Sequence, residues 1–326
     1  MLPPIEALLD TLRVVRLPLA TRFRGVTERE AAFVRGPQGW GEWSPFLEYE
    51  PDEAAAWLAA AIEDAWEPRP AAVRDRIPVN ATLPAVAPSE VAGVLARYDG
   101  CRTVKVKVAE RGQTLEDDVA RVREVRTLLP DARIRVDANG GWNVDEAESA
   151  VRALERLDLE YVEQPCATVP ELAELRARIH RLGVPVAADE SVRKATDPMA
   201  VVAAGAADVL VVKTQPLGGV RRALAIVAEA GLPAVVSSAL DTSVGLSQGA
   251  ALAAALPELP FDCGLGTAAL LVEDVAAPLR PVDGGIPVSR VDADEHRLAW
   301  HAAPADRLDW WRRRLEASYA VLAERT

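Results

Sequence analysis

The stretch IRVDANGGW, Ile134 to Trp142, reads as a strand that runs into a turn. Apolar Ile134 and Val136 alternate with charged Arg135 and Asp137, the period of two that marks a strand. Asn139-Gly140-Gly141 is the turn that ends it. The same unit repeats on either side. Upstream stands TVKVKV; downstream stand LEYVEQP, VPVAADES, DVLVVK, PAVVSS and PFDCGL. Between them lie amphipathic helical runs such as TLEDDVARVREVRTLL, VDEAESAVRALERL and VRRALAIVAEAG. Strands alternating with helices pair in parallel through right-handed crossovers. Seven or eight such units from about residue 101 predict an α/β fold, a (β/α)8-type barrel with short connections and without its last helix. An open doubly wound sheet is the competing arrangement.

Residues 1–100 follow a different pattern. LRVVRLPLA and TEREAAFVRGPQGWGEWSPF read as antiparallel strands, and PDEAAAWLAAAIEDAWE as a helix, which makes a separate α+β unit. The final segment, 281–326, carries the helix ADRLDWWRRRLEASYAVLAER, expected to fold back on the N-terminal unit. The chain of 326 residues is half hydrophobic and has a net charge of -12. That composition allows a deep core and argues against a nucleic-acid groove, which needs clustered Lys and Arg. Cys101, Cys166 and Cys263 lie far apart, so neither a disulfide framework nor a zinc knuckle is expected, and a reducing cytoplasm suits them. Glu6, Asp10, Arg13 and Arg16 interrupt any signal-peptide core. Gly205 and Asp208 interrupt the most apolar stretch, so no membrane span is expected. The oligomeric state is left open, a monomer being compatible with all of this.

Side-chain parity locates the chemistry. In TVKVKV, Lys105 and Lys107 share one face while Val104, Val106 and Val108 share the other. In a barrel the valines suit the helix side, so both lysines project inward. By the same parity Arg135 and Asp137 point inward, with Asp137 at the strand's C-terminal end. Glu163 ends the next strand, Asp189 the one after, and Lys213 the one after that, at intervals of 26, 26 and 24 residues. Successive strands thus deliver three carboxylates and a lysine to the rim where such barrels carry their active sites.

Three converging carboxylates, with no Cys or His among them, make a hard-oxygen site for Mg²⁺ or Mn²⁺ rather than zinc. Without a cation they would repel and raise one another's pKa values. A lysine on each side of a bound substrate could move protons while the metal holds developing charge. Taken singly, each residue has a plainer reading. Asp137 before Asn-Gly would be a turn residue, the alternating lysines an exposed edge, and Lys213 a surface side chain. Their joint arrival at consecutive strand ends is what argues for a site. His180, His296 and His301 fall in helical or tail positions, which removes most of the case for a Ser-His-Asp triad. Gly218-Gly219 and GLGTA read as turns, not as phosphate loops.

The motifs KVKV, VDAN, VEQP, ADES and VVKTQPLGG resemble those of the enolase superfamily in its muconate-lactonizing subgroup, and within it the actinobacterial o-succinylbenzoate synthases. The resemblance spans the chain. It implies a modified TIM barrel, (β/α)7β-type, at 101–280, an α+β capping domain at 1–100, and a C-terminal segment at 281–326 packing back on the cap. It further implies that Asp137, Glu163 and Asp189 bind Mg²⁺, with Asn139, Glu190 and Arg135 behind them. Lys107 and Lys213 would flank the substrate, and Lys105 would lie near its carboxylate. The implied reaction is dehydration of 2-succinyl-6-hydroxy-2,4-cyclohexadiene-1-carboxylate to o-succinylbenzoate in menaquinone synthesis, by α-proton abstraction and enediolate stabilisation. Ser238, Gly264, Arg22 and Arg24 are the expected substrate-binding positions, the arginines lying in TRFRGVTERE, which resembles the family's mobile capping loop. The alternatives are an N-succinylamino acid racemase, a dipeptide epimerase, and more remotely a non-catalytic metal-binding barrel. Dipeptide epimerases resemble one another in an Asp-x-Asp that holds the substrate ammonium. Gly264 and Gly266 stand there instead, which disfavours an ammonium-bearing substrate.

Overall fold

The computed structural model describes residues 2–23, 25–193 and 198–325. The N-terminal unit is an antiparallel sheet of β1 (Arg13–Phe23), β2 (Val26–Gly36) and β3 (Gly39–Trp43), in that order. The helix Pro51–Trp66 packs on this sheet, begun by proline at its first position, where no hydrogen bond is lost. The C-terminal helix Ala305–Glu324 returns to the same core, where Trp311 meets Trp43 edge to face at 5.2 Å.

After β4 (Arg76–Pro78) come seven parallel strands: β5 (Ala81–Leu83), β6 (Thr103–Lys107), β7 (Arg133–Asp137), β8 (Leu159–Glu163), β9 (Val186–Ala188), β10 (Val209–Val212) and β11 (Ala234–Val236). They lie side by side in chain order. The next segment closes the barrel: Gly264 bridges to Ser237 beyond β11, and Cys263 bridges to Val79 ahead of β5. A short 3₁₀ turn, Thr267–Leu270, follows where an eighth helix would stand. The barrel sheet starts at Ala81, ahead of the boundary expected at 101. The strand Ala81–Leu83 has three residues and runs into a proline, too short to show a period. β12 (Gly285–Pro287) then pairs antiparallel with β4.

The observed parity is the expected one. Val104, Val106, Ile134, Val136, Val162, Val186, Leu210, Val212 and Val236 join the large core shared with the helices. Inside the barrel, Tyr161, Ala187, Val209, Val211 and Val235 form a separate apolar plug with Phe261. Three consecutive βα units begin their helices with reciprocal capping pairs: Thr114 with Asp117, Asn143 with Glu146, Thr168 with Glu171. Each pair satisfies two backbone donors that the helix start leaves open and fixes where the preceding strand must stop.

Candidate active site

Lys107, Asp137 and Glu163 lie in register across β6, β7 and β8, all at the strands' C-terminal ends. Asp189 and Lys213 follow one residue beyond β9 and β10. All three carboxylates are buried, and the lysines nearly so. The turns that leave β6, β7, β8 and β11 are tight. Ala109, Asn139, Gln164 and Leu240 adopt positive φ (58°, 47°, 38° and 63°), a region that side chains other than glycine seldom enter and that concentrates at functional sites.

The lysines mesh with the carboxylates. Lys105 Nζ donates to Glu163 Oε1 at 2.9 Å and lies 3.1 Å from Asp137 Oδ2. Lys107 Nζ donates to Asp137 Oδ2 at 2.5 Å and to Asn139 Oδ1 at 2.7 Å. Lys213 Nζ donates to Asp189 Oδ2 at 2.6 Å. Lys105 thus bridges Asp137 and Glu163, while Lys107 and Lys213 each pair with one carboxylate. The expected mutual rise in pKa therefore appears in one carboxyl. Burial, with the Asp137 charge, pushes Glu163 up to about 7. Burial acts against Asp137 and Asp189 too, but Lys107 and Lys105 hold the first well below the carboxylate range, and Lys213 and Arg193 hold the second. Burial also lowers Lys107, helped by the Lys105 charge, although Asp137 opposes it. Lys105 is raised despite burial, by Glu163 and then Asp137.

The donor set suits a hard divalent cation. It is all carboxylate, and Glu163 Oε2 is buried with no hydrogen-bond partner among the described residues. A second row of residues sets its geometry. Asn139 Nδ2 donates to Glu190 Oε1 at 3.2 Å, and Gln164 Oε1 accepts from the backbone N–H groups of Asp189 and Ser191. Arg193 was not foreseen. Its guanidinium reaches Asp189 Oδ1 at 3.1 Å, Glu190 Oε1 at 2.7 Å and the Tyr49 hydroxyl of the cap at 3.1 Å. The signal was its spacing, four residues after Asp189 and three after Glu190 on one helical turn.

Arg135 lies elsewhere than behind the three carboxylates. It fills the barrel floor, bonded to Asn80 Oδ1, Glu160 and the Asp262 carbonyl and stacked on Tyr161 and Phe261. Parity put it inside correctly; two residues of strand rise put it one layer too deep.

Phe23, Phe46, Thr82, Ser237, Ser238, Ala239, Leu240, Gly264 and Thr267 wall a chamber with Lys105, Lys107, Asn139 and Lys213. Its free volume is about 30 Å³. Ser238 Oγ donates to the Gly264 carbonyl at 2.8 Å. A Cβ at Gly264 would stand 2.4 Å from Ser237 Oγ. Outside lies a cleft of about 1340 Å³, lined by Arg22, Arg97 and Arg111 and reaching Lys107 and Asn139. Phe23 stands between the two, its ring 5.5 Å from Lys107 Nζ. Arg22 sits at the tip of the β1–β2 hairpin, where Phe23 pairs with Val26. Arg24 lies outside the described residues.

Residues 89–291 match the family described as Enolase C-terminal domain-like, and residues 14–65 the one described as Enolase N-terminal domain-like. An o-succinylbenzoate synthase of Mycolicibacterium smegmatis is 57% identical over 321 residues, 98% of each chain. One from Mycobacterium tuberculosis H37Rv is 56% identical over 322 residues, 98% of this chain and 97% of the other. Among solved structures, the muconate lactonizing enzyme of Pseudomonas fluorescens superposes with a TM-score of 0.76 at 22% identity, covering 90% of this chain and 98% of that one. N-succinyl Arg/Lys racemase from Bacillus cereus superposes at 0.74 and 20% identity, covering 90% and 97%. Those two likenesses speak to the fold. With cap and barrel both matched and the synthases aligned almost end to end, this chain belongs to the enolase superfamily and, within it, to the o-succinylbenzoate synthase family.

Proposed function

We propose that the chain dehydrates 2-succinyl-6-hydroxy-2,4-cyclohexadiene-1-carboxylate to o-succinylbenzoate, with Lys107 as the proton carrier. One observation carries the mechanism. β6 and β10, with three strands between them, aim Lys107 and Lys213 into one chamber of about 30 Å³ beside three buried carboxylates. Asp137, Glu163 and Asp189 would hold Mg²⁺, or Mn²⁺. When bound, the metal supplies fixed positive charge beside the substrate carboxylate, where negative charge develops.

Lys107, kept below the ordinary lysine range by burial, serves as the base that removes the proton α to the carboxylate. The same ammonium then protonates the departing hydroxyl, so the proton taken from carbon leaves in water. Asn139 fixes where Lys107 Nζ stands. Lys213, paired with Asp189 on the opposite face, stabilises electrostatically, and Lys105 sits nearest the substrate carboxylate. Ser238, Gly264 and the hairpin arginines are the proposed substrate contacts. Three free cysteines accord with a reducing cytoplasm, and no helix among the described residues is long and apolar enough to cross a membrane.

The test is an assay of purified protein with the cyclohexadiene carboxylate and Mg²⁺, run beside N-succinylamino acids. Dehydration far exceeding racemisation is expected. Racemisation without dehydration would replace this reading with the racemase one.

A further inference from the structure

The cap does more than cover the chamber, because two of its buried charged side chains grip one wall. That wall is Ser238, Ala239 and Leu240, at the start of the loop that follows β11. Leu240 has φ 63°, a backbone that leucine adopts only when its surroundings impose it. Arg29, from β2, donates to the Leu240 carbonyl at 3.2 Å and the Ala239 carbonyl at 3.3 Å, and also to the Ser44 carbonyl. Glu42, from β3, reaches the other end of the loop. It accepts from Thr242 Oγ1 at 2.5 Å, the Thr242 N–H at 3.2 Å and the Gly245 N–H at 2.9 Å. Gly245 has room for no side chain there, since a Cβ would stand 2.8 Å from Glu42 Oε2.

Glu42 thus sits at the N-terminus of the helix Ser243–Ala255, where a carboxylate meets both open N–H groups and the positive end of the dipole. Ser44 ties the two grips together, its hydroxyl donating to Glu42 at 2.6 Å and its N–H to Gln215 Oε1 at 3.0 Å. Gln215 in turn donates to Asp241 at 3.0 Å and lies two residues beyond Lys213. Arg29 and Glu42 are 3% and 2% exposed, so water cannot replace them.

We propose that Arg29 and Glu42 are positioning residues of this active site: by holding the loop Ser238–Thr242 from both ends, they set the shape of the substrate chamber from outside it. The proposal rests on the reading of the chamber as the dehydration site. It predicts that loosening either grip weakens substrate capture without removing a group that touches substrate.

The structure supplies an internal control. Glu63 is also a cap carboxylate on a barrel helix, accepting from the Val220 N–H at 2.8 Å, yet it lies away from the chamber wall. Arg29→Met, Arg29→Lys, Glu42→Gln and Glu63→Gln would be compared with wild type for KM and kcat of dehydration, melting temperature, and amide hydrogen exchange of the 237–246 segment. The expected result is a loss in kcat/KM of about 10²-fold, the cost of a misplaced site, carried mainly by KM. It should appear in Arg29→Met and Glu42→Gln, with faster exchange in 237–246, while Glu63→Gln matches wild type in both. Arg29→Lys should fail to rescue, because one ammonium cannot span three carbonyls. Should Arg29→Met not fold, Glu42→Gln, nearly isosteric, carries the test alone. Unchanged KM and unchanged exchange in Glu42→Gln, or equal losses in Glu63→Gln, overturn the proposal. A wild-type protein that does not dehydrate the substrate overturns the functional reading instead, and the exchange data still decide whether the grips hold the loop.

Discussion

Lys107 and Lys213 are the same residue type in different company. Lys107 donates to both Asp137 and Asn139, whereas Lys213 pairs with Asp189. If Lys107 serves both proton transfers, Lys107→Ala should cost well beyond the ~10²–10⁴ of a single acid–base step. Lys107→Arg should not restore activity, since guanidinium stays protonated. Lys213→Ala should retain some single-turnover product, because only electrostatic support is lost. Single-turnover dehydration by both alanine variants under saturating Mg²⁺ decides this, and greater residual activity in Lys107→Ala would reverse the roles. The carboxylates predict their own behaviour. EDTA should abolish dehydration, Mg²⁺ should restore it, and Asp189→Asn should stay folded but inactive; a chelated enzyme with full activity would remove the metal assignment. The strand-end residues were legible because parity and spacing are written in sequence. Arg193 and the rest of the chamber wall beyond Ser238 and Gly264 were not, since a helical turn's i+3 and i+4 contacts and a loop's fold depend on where neighbouring segments come to rest.

Strands and helices were legible where they were long enough to show a period. The lysine strand, the Asp137 strand and their capped helices all emerged from alternation and turn signals. The strand Ala81–Leu83 did not. The C-terminal helix shows how one element holds a distant one. Trp311 is fully buried against Trp43, its indole N–H donates to Glu30 at 2.8 Å, and Arg314 binds the Phe46 and Tyr49 carbonyls at 2.7 and 2.6 Å. Trp311→Ala should therefore cost about 3–5 kcal/mol of stability by denaturant unfolding; a loss under about 1 kcal/mol would mean that the helix is not needed to hold the cap. At the closing segment, Gly264→Asp should abolish dehydration without conferring dipeptide epimerisation, because the new Cβ meets Ser237 Oγ. Exchange of a dipeptide's α-proton by that variant would show that the backbone yields and that glycine there sets specificity after all.

Cap and barrel meet through buried charge as well as apolar surface, and this makes their union depend on pH in a direction that can be worked out. Val15, Leu17, Phe33 and Trp40 of the cap pack on Val244, Leu271 and Val275. Beside them Glu42 faces Asp241 and Thr242 from the loop, Gly245 from the helix and Arg29 from β2, while Asp241 also faces Lys213 and Gln215. Burial, and then the Asp241 charge, pushes Glu42 from its ordinary 4.5 up to about 7. Burial likewise pushes Asp241 from 3.8 up to about 6, against the pull of Arg29. A carboxyl raised on folding binds its proton more tightly in the folded chain than in the unfolded one. Its contribution to stability is thus fully present below the unfolded value and is lost as pH rises through the folded value. For Glu42 that window runs from 4.5 to about 7, and for Asp241 from 3.8 to about 6. Wild type should accordingly lose stability across the window relative to Glu42→Gln, with a difference slope approaching one proton, about 1.4 kcal/mol per pH unit. Urea unfolding of both proteins at half-unit steps from pH 5 to 8 measures the difference directly. Parallel curves would mean that Glu42 stays ionised throughout, its four donors outweighing burial, and that the cap is docked by a fixed charge rather than by a neutral carboxyl.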